Sequence, residues 1–253
     1  MNETFFIKKL HKKEKPIRLI WLHGWGVDHQ TLLPLASFFN TETENYLLDL
    51  SGFGKSPAPK KVYDSTDYAK EIAGWLKTFK SKKPTYIIGH SFGGQTAIQI
   101  ANLYPKLVDG LILIGASGLK RKRSLFFKTK FFIFKTITKM TKILFGQKFY
   151  NKLKTKLVSK IGSTDYKNAN DIMRKILVKI TQENLKDVAS KIKTPTILIY
   201  GKEDLQAPSY FGKEYSKFIK NSEFVEIPKL NHYTILSTGK NQVQNLINNF
   251  IKK

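Results

Sequence analysis

Cysteine is absent from the 253 residues, which excludes disulfide cross-links, thiolate metal sites and a cysteine nucleophile together and leads us to expect a reducing, cytoplasmic address. Acid is scarce as well. Nineteen Asp and Glu stand against 44 Lys and Arg, a formal net charge of +25, and such a field favours acidic partners: nucleic acid, anionic lipid or an acidic protein. Arginine is nearly missing, four residues against forty lysines. Nucleic-acid readers interleave arginine with exposed aromatics, so nucleic acid is the least expected of the three. Abundant asparagine and isoleucine accompany the lysines, a bias that AT-rich coding contributes to. Long apolar runs are lacking too: residues 1–15 hold no signal-type core, and later apolar stretches are broken by lysine before they reach bilayer length, so a soluble, unprocessed chain is expected. What is present is core. Hydrophobic residues make up 41% and aromatics 13%, enough apolar area for one large domain or two small ones.

Short apolar runs alternate with helical periods from residue 17 onward, which predicts βαβ units and a parallel sheet covered on both faces. The expected strands are 17–22, 46–50, 85–88, 110–114, 196–200 and 223–227, with 4–8 as an extra edge; helical spacing marks 68–79, 92–103, 211–219 and 242–251. Residues 118–193 break the alternation. They are too long for an ordinary connection and are read as an inserted helical cap, leaving 1–117 and 194–253 as the core domain.

Gly89-His90-Ser91-Phe92-Gly93, with Gly94 following, sits between an expected strand and an expected helix. A sharp strand-to-helix turn lifts a serine Oγ clear of the sheet and requires small neighbours beneath it. A serine needs a base, and the base a carboxylate that holds its tautomer. His232 follows the last expected strand, and Asp204 follows the strand at 196–200, so Ser91, Asp204 and His232 are the expected nucleophile, acid and base, each after its own strand. Glu203 competes for the acid's place and reads as solvated. The backbone N–H groups of Trp25, in His23-Gly24-Trp25-Gly26, and of Phe92 are the expected oxyanion donors. His23 reads as structural, His90 as packed behind the turn, and His11 and His29 as exposed. No metal or organic cofactor is expected, since no ligand cluster stands out.

Taken in order, His23-Gly24-Trp25-Gly26, Asp49-Leu50-Ser51-Gly52-Phe53-Gly54-Lys55-Ser56, Gly89-His90-Ser91-Phe92-Gly93-Gly94, Gly201-x-x-Asp204 with Pro208, and Asn231-His232 resemble the α/β-hydrolase family across the whole chain outside the cap. The resemblance implies an α/β-hydrolase fold: an eight-stranded, mostly parallel sheet flanked by helices, an inserted helical cap, and an active site between the two. Within that family the chain is similar to the pimeloyl-acyl carrier protein methyl ester esterases, with His90 where those enzymes often carry tryptophan. A serine nucleophile separates it from dehalogenases and epoxide hydrolases, whose covalent chemistry requires a carboxylate.

The cap is the charged part of the chain. Residues 118–193 hold 21 Lys and Arg against four Asp and Glu, and residues 120–160 hold fourteen basic residues and no acid. Its aromatics, Phe127, Phe131 and Phe134 among them, are expected to line an acyl-sized pocket together with Trp25. Lys120, Arg121, Lys122 and Arg123 are expected to meet the partner, either an acidic acyl carrier protein or an anionic membrane surface. The expected activity is hydrolysis of a small acyl ester through an acyl-enzyme, with a general esterase or lipase as one alternative. A non-catalytic basic binder on the same scaffold is the alternative from another class.

Overall fold

The computed structural model describes residues 5–121, 146–147, 166 and 169–253. Seven strands form one sheet: β1 (Ile7–Lys9), β2 (Ile17–Leu22), β3 (Thr43–Leu48), β4 (Thr85–His90), β5 (Gly110–Ile114), β6 (Thr196–Gly201) and β7 (Ser222–Ile227), in the order β1-β3-β2-β4-β5-β6-β7. Only β1 runs antiparallel to its neighbour, and every other pairing is parallel. The helices between them are α1 (Leu33–Ala36), α2 (Ser65–Leu76), α3 (Phe92–Leu103), α4 (Asp171–Gln182), α5 (Lys186–Ala189), α6 (Tyr210–Phe218) and α7 (Lys240–Ile251).

The central strands carry mostly apolar residues because both of their faces are covered. Ile20, Leu22, Ile87, Leu111, Leu113 and Leu198 pack on one side with Tyr68 and Ile72 of α2, Ile98 of α3 and Phe211 of α6. Leu19, Trp21, Ile88, Ile112, Ile197 and Ile199 face the other side with Leu35 of α1 and Val243 and Ile247 of α7. The side chains alternate sides along each strand as the two-residue period requires. Each such residue, buried in full, contributes about 2 kcal/mol of transfer free energy.

Two expectations are corrected. The described residues contain seven strands where the resemblance implied eight. Among the described residues sheet pairing at that margin stops with β1, whose Lys8 and Lys9 are exposed, as charged side chains at a sheet edge commonly are. Strand β3 begins at Thr43, ahead of the expected residue 46. Thr43, Glu44 and Asn45 lie ahead of the expected strand, yet each is buried with partners. Glu44 pairs with Lys83 at 2.6 Å and Arg18 at 3.4 Å, and Asn45 accepts from Trp21 Nε1 at 2.8 Å. Such partners lie far off in sequence and leave no local mark.

The β5-to-β6 connection contains α4 and α5. Most of the expected cap, including Lys122, Arg123, Phe127, Phe131 and Phe134, lies outside the described residues. Lys120 and Arg121 are exposed, and Arg121 donates to the carbonyls of Leu205, at 2.9 Å, and Gln206. No helix among the described residues is long and apolar enough to cross a membrane.

Candidate active site

Because β2, β4, β5, β6 and β7 are parallel, the loops that leave their carboxyl ends gather at one edge of the sheet, the place where open α/β sheets bind ligands. Ser91 leaves β4 there with φ 53° and ψ −114°. Only one other described non-glycine residue, Lys229, has positive φ. A left-handed serine costs of order 1–3 kcal/mol, so the turn must be over-determined by its surroundings. It is held from three sides: Ser91 N–H donates to Ile114 O at 3.1 Å, and Ser91 O accepts from Gln95 N–H at 3.2 Å and from Ser117 N–H at 3.1 Å.

The glycines beneath the turn are a steric requirement. A Cβ on Gly93 would collide with the Leu22 and His23 carbonyls, and one on Gly89 with the backbone of Gly93 and Gly94. Neither obstacle is a flexible side-chain end. Gly93→Ala is therefore expected to destabilise the fold by about 3 kcal/mol or more. Urea denaturation of the variant checks this, and a loss under 1 kcal/mol would show that β2 and α3 do not approach as closely as described.

Asp204 and His232 leave β6 and β7 at the same edge, and both are buried. His232 Nδ1 lies 2.6 Å from Asp204 Oδ2. Asp204 Oδ1 accepts from the N–H groups of Gln206 and Ala207, each at 2.8 Å, so the carboxylate is clamped by its own loop. An ionised carboxylate only accepts, so Nδ1 carries the hydrogen and Nε2 keeps its lone pair, the tautomer a general base needs. The pair sits against the nucleophile turn. A Cβ on Gly115, just past β5, would lie 3.2 Å from Asp204 Oδ2 and 3.5 Å from His232 Nδ1. His90 Nε2–H donates to the His232 carbonyl at 3.0 Å, and the two rings are 4.6 Å apart. Glu203, the competing acid, is exposed.

The loop after β2 closes the other side. A Cβ on Gly24 would be 3.4 Å from Ser91 Cβ, which sets the His23–Gly26 loop against the serine. His23 is buried and fully used: Nδ1–H donates to Gly24 O at 2.7 Å and Nε2 accepts from Leu50 N–H at 3.0 Å. Phe92 is the first residue of α3, so its N–H has no intrahelical acceptor. The Trp25 ring, half-buried, stands edge-on to Phe53 at 4.7 Å and to Phe92 at 5.5 Å.

Two histidines, His29 and His11, differ from expectation. His29, read as exposed, is buried with its backbone N–H and Nδ1 both 2.8 Å from Asp49 Oδ1, while Lys55 N–H donates to Oδ2 at 2.9 Å. Burial works to raise the Asp49 carboxyl, but the hydrogen bonds from Lys55 and His29 outweigh it and hold it below its usual range. Among the described residues Asp28, His29 and Asp49 are the one cluster spaced to hold a metal. Their atoms already serve protein donors, Asp28 by capping Gln30 N–H at 2.9 Å, and the cluster braces the Asp49–Ser56 loop. His11 is half-buried, 4.7 Å from the Tyr46 ring.

Burial, with the neighbouring His232 adding to it, pushes His90 down to about 3, and burial lowers His23 as well. Both stay neutral in the fold while an unfolded histidine protonates below about 6.5. The stability they contribute is complete above that value and is lost as pH falls below it, for His90 down toward about 3 and by up to about 1.4 kcal/mol per pH unit. Denaturation midpoints measured from pH 7 to pH 4 are expected to fall, and less steeply in His90→Gln. Equal slopes would count His90 out.

Several hydrogen-bonded polar residues beside the serine turn escaped the sequence reading. Gln95 and Gln99 on α3, Ser65 at the start of α2, Ser117 after β5 and Glu183 at the end of α4 form one connected set of hydrogen bonds. The available signal was Gln95 and Gln99, a polar pair four apart on an otherwise apolar helix.

Residues 17–237 match the family model described as alpha/beta hydrolase fold, and the chain belongs to that family. Among curated proteins it is 28% identical to a pimeloyl-[acyl-carrier protein] methyl ester esterase of Wigglesworthia glossinidia brevipalpis, over 87% of this chain and 88% of that one. Among solved structures it resembles an esterase from Exiguobacterium antarcticum, with TM-score 0.72, 20% identity, and 97% and 95% of the two chains covered. A lipase-esterase related protein from Clostridium acetobutylicum gives TM-score 0.71 at 22% identity, covering 98% and 99%. The expected class, a carboxylic-ester hydrolase, agrees with the names these relatives carry.

Proposed function

We propose that the chain is a serine esterase in which Ser91, Asp204 and His232 form a catalytic triad, and that its substrate is an acyl ester presented on an acidic acyl carrier protein. The observation that carries the first part is the Asp204–His232 pair, locked at 2.6 Å beside a left-handed serine at the same sheet edge. His232 Nε2 takes the Ser91 proton as Oγ attacks the ester carbonyl, and the N–H groups of Trp25 and Phe92 receive the developing oxyanion. Collapse breaks the carbonyl-to-alkoxy bond as His232 returns the proton to the departing alcohol. Water, deprotonated by His232, then cleaves the acyl-enzyme and frees the acid.

The second part rests on the carrier-protein ester named for the Wigglesworthia relative and on the positive charge of residues 118–193, read as a cap over the site. A fluorophosphonate probe followed by mass spectrometry is expected to place one adduct on Ser91. A folded protein with no adduct there rejects the triad. Replacing Lys120, Arg121, Lys122 and Arg123 with glutamate is expected to lower kcat/KM for a carrier-bound methyl ester by roughly ten- to a thousandfold and to spare a small soluble ester. Equal loss on both, or a loss appearing only with anionic vesicles, rejects the carrier-protein partner.

A further inference from the structure

We infer that Glu183 is a positioning residue for Ser91, acting through Gln95 and Ser117; the inference rests on Ser91 being the nucleophile. Glu183 follows the last residue of α4, where the long β5-to-β6 connection returns to the core. Its carboxylate accepts from Ser65 N–H at 3.0 Å, from the Ser65 hydroxyl and from Gln95 Nε2 at 2.6 Å. Gln95 Nε2 also donates to Ile180 O at 3.1 Å. Both partners of that amide nitrogen only accept, so the Gln95 side chain has one possible orientation, with Oε1 turned to the Ser117 hydroxyl at 3.1 Å. Ser117 in turn gives its N–H to the carbonyl of Ser91. The relay therefore runs from the returning segment to the residue whose backbone is the most strained at the site.

Holding α4 in place does not require this carboxylate. Met173, Ile176 and Ile180 already bury the helix, and Lys179 pairs with Asp64 at 3.0 Å. The carboxylate satisfies three donors that an apolar side chain would leave unpaired, and it has one further effect. What it supplies is direction. With Glu183 in place the Gln95 amide cannot flip, the Ser117 hydroxyl must donate, and the loop 115–118 that supports Ser91 keeps one setting. The same loop is tied to the returning segment a second time, by Leu185 N–H donating to Gly118 O at 2.7 Å. The seat of α4 and the placement of the serine are thus mechanically one adjustment.

The test uses the full chain and p-nitrophenyl acetate, with Glu183→Gln, Ser117→Ala and the double variant. Glu183→Gln keeps the shape but turns an amide N–H₂ toward Gln95 Nε2 or Ser65. Ser117→Ala removes one hydroxyl, leaves its N–H, and guards against a first variant that fails to fold. Each single variant is expected to lower kcat about three- to tenfold with KM within about twofold, and to slow fluorophosphonate labelling of Ser91 by the same factor. The double variant is expected to be no slower than the worse single one, because both cut the same relay. Multiplying losses, or a shifted melting temperature with kcat unchanged, would overturn the inference. Wild-type protein that takes no label at Ser91 would overturn the esterase reading instead, whatever the variants do.

Discussion

Ser91→Ala is expected to lower kcat by about a millionfold, the loss typical when a serine nucleophile is removed from an intact triad, and to abolish labelling by fluorophosphonate. The fold is expected to survive. The Ser91 side chain makes no capping bond to α3, so removing its hydroxyl withdraws nothing from the helix, and all three contacts that hold the turn are made by backbone atoms of residue 91. Ser91→Gly should be equally inactive yet more stable than Ser91→Ala by about 1 kcal/mol, since glycine alone adopts φ 53° without cost. A comparison of their melting temperatures checks the strain directly. Residual activity above one part in a thousand would mean that water or another side chain does the attacking.

Asp204→Asn is the second large effect, a fall of about 10⁴-fold in kcat. Asp204 Oδ1 takes two backbone N–H groups, so an asparagine would turn its carbonyl oxygen to them and its amide N–H₂ to His232 Nδ1. The imidazole would then have to accept at Nδ1 and carry its hydrogen on Nε2, the nitrogen that should receive the serine proton. Binding surfaces are untouched, so KM is expected to stay within about twofold while kcat falls. A KM that rises in step with the fall in kcat would show that Asp204 shapes the pocket and leaves the tautomer alone.

The central strands, the sharp turn and the three side chains proposed for catalysis were legible because each carries a local signature. Residues 19–22, 86–88 and 111–114 are apolar without break, the mark of a strand covered on both faces, and Gly89 and Gly93 flank Ser91 where the backbone has no room for a Cβ. What escaped depends on partners distant in sequence. Glu44 and Asn45 fell outside the expected strand because Lys83 and Trp21, their partners, lie elsewhere in the chain. His29 read as exposed because Asp49 is twenty residues on, and Glu183 read as one acid in a basic segment because Ser65 and Gln95 are far upstream. Polarity is a local property, whereas satisfaction of polar groups is decided by tertiary structure.

The hydrogen bond between Leu185 and Gly118 brings two ends of a long excursion to a single point on the scaffold. A segment pinned at its neck can be swapped, shortened or extended with little effect on its anchorage, since closing a loop twice as long costs only about 0.6 kcal/mol more. The stretch between Arg121 and α4 is thus free to diverge for a new guest while α4, Glu183 and the serine turn keep their geometry, which makes residues 122–169 a natural unit for grafting between related scaffolds.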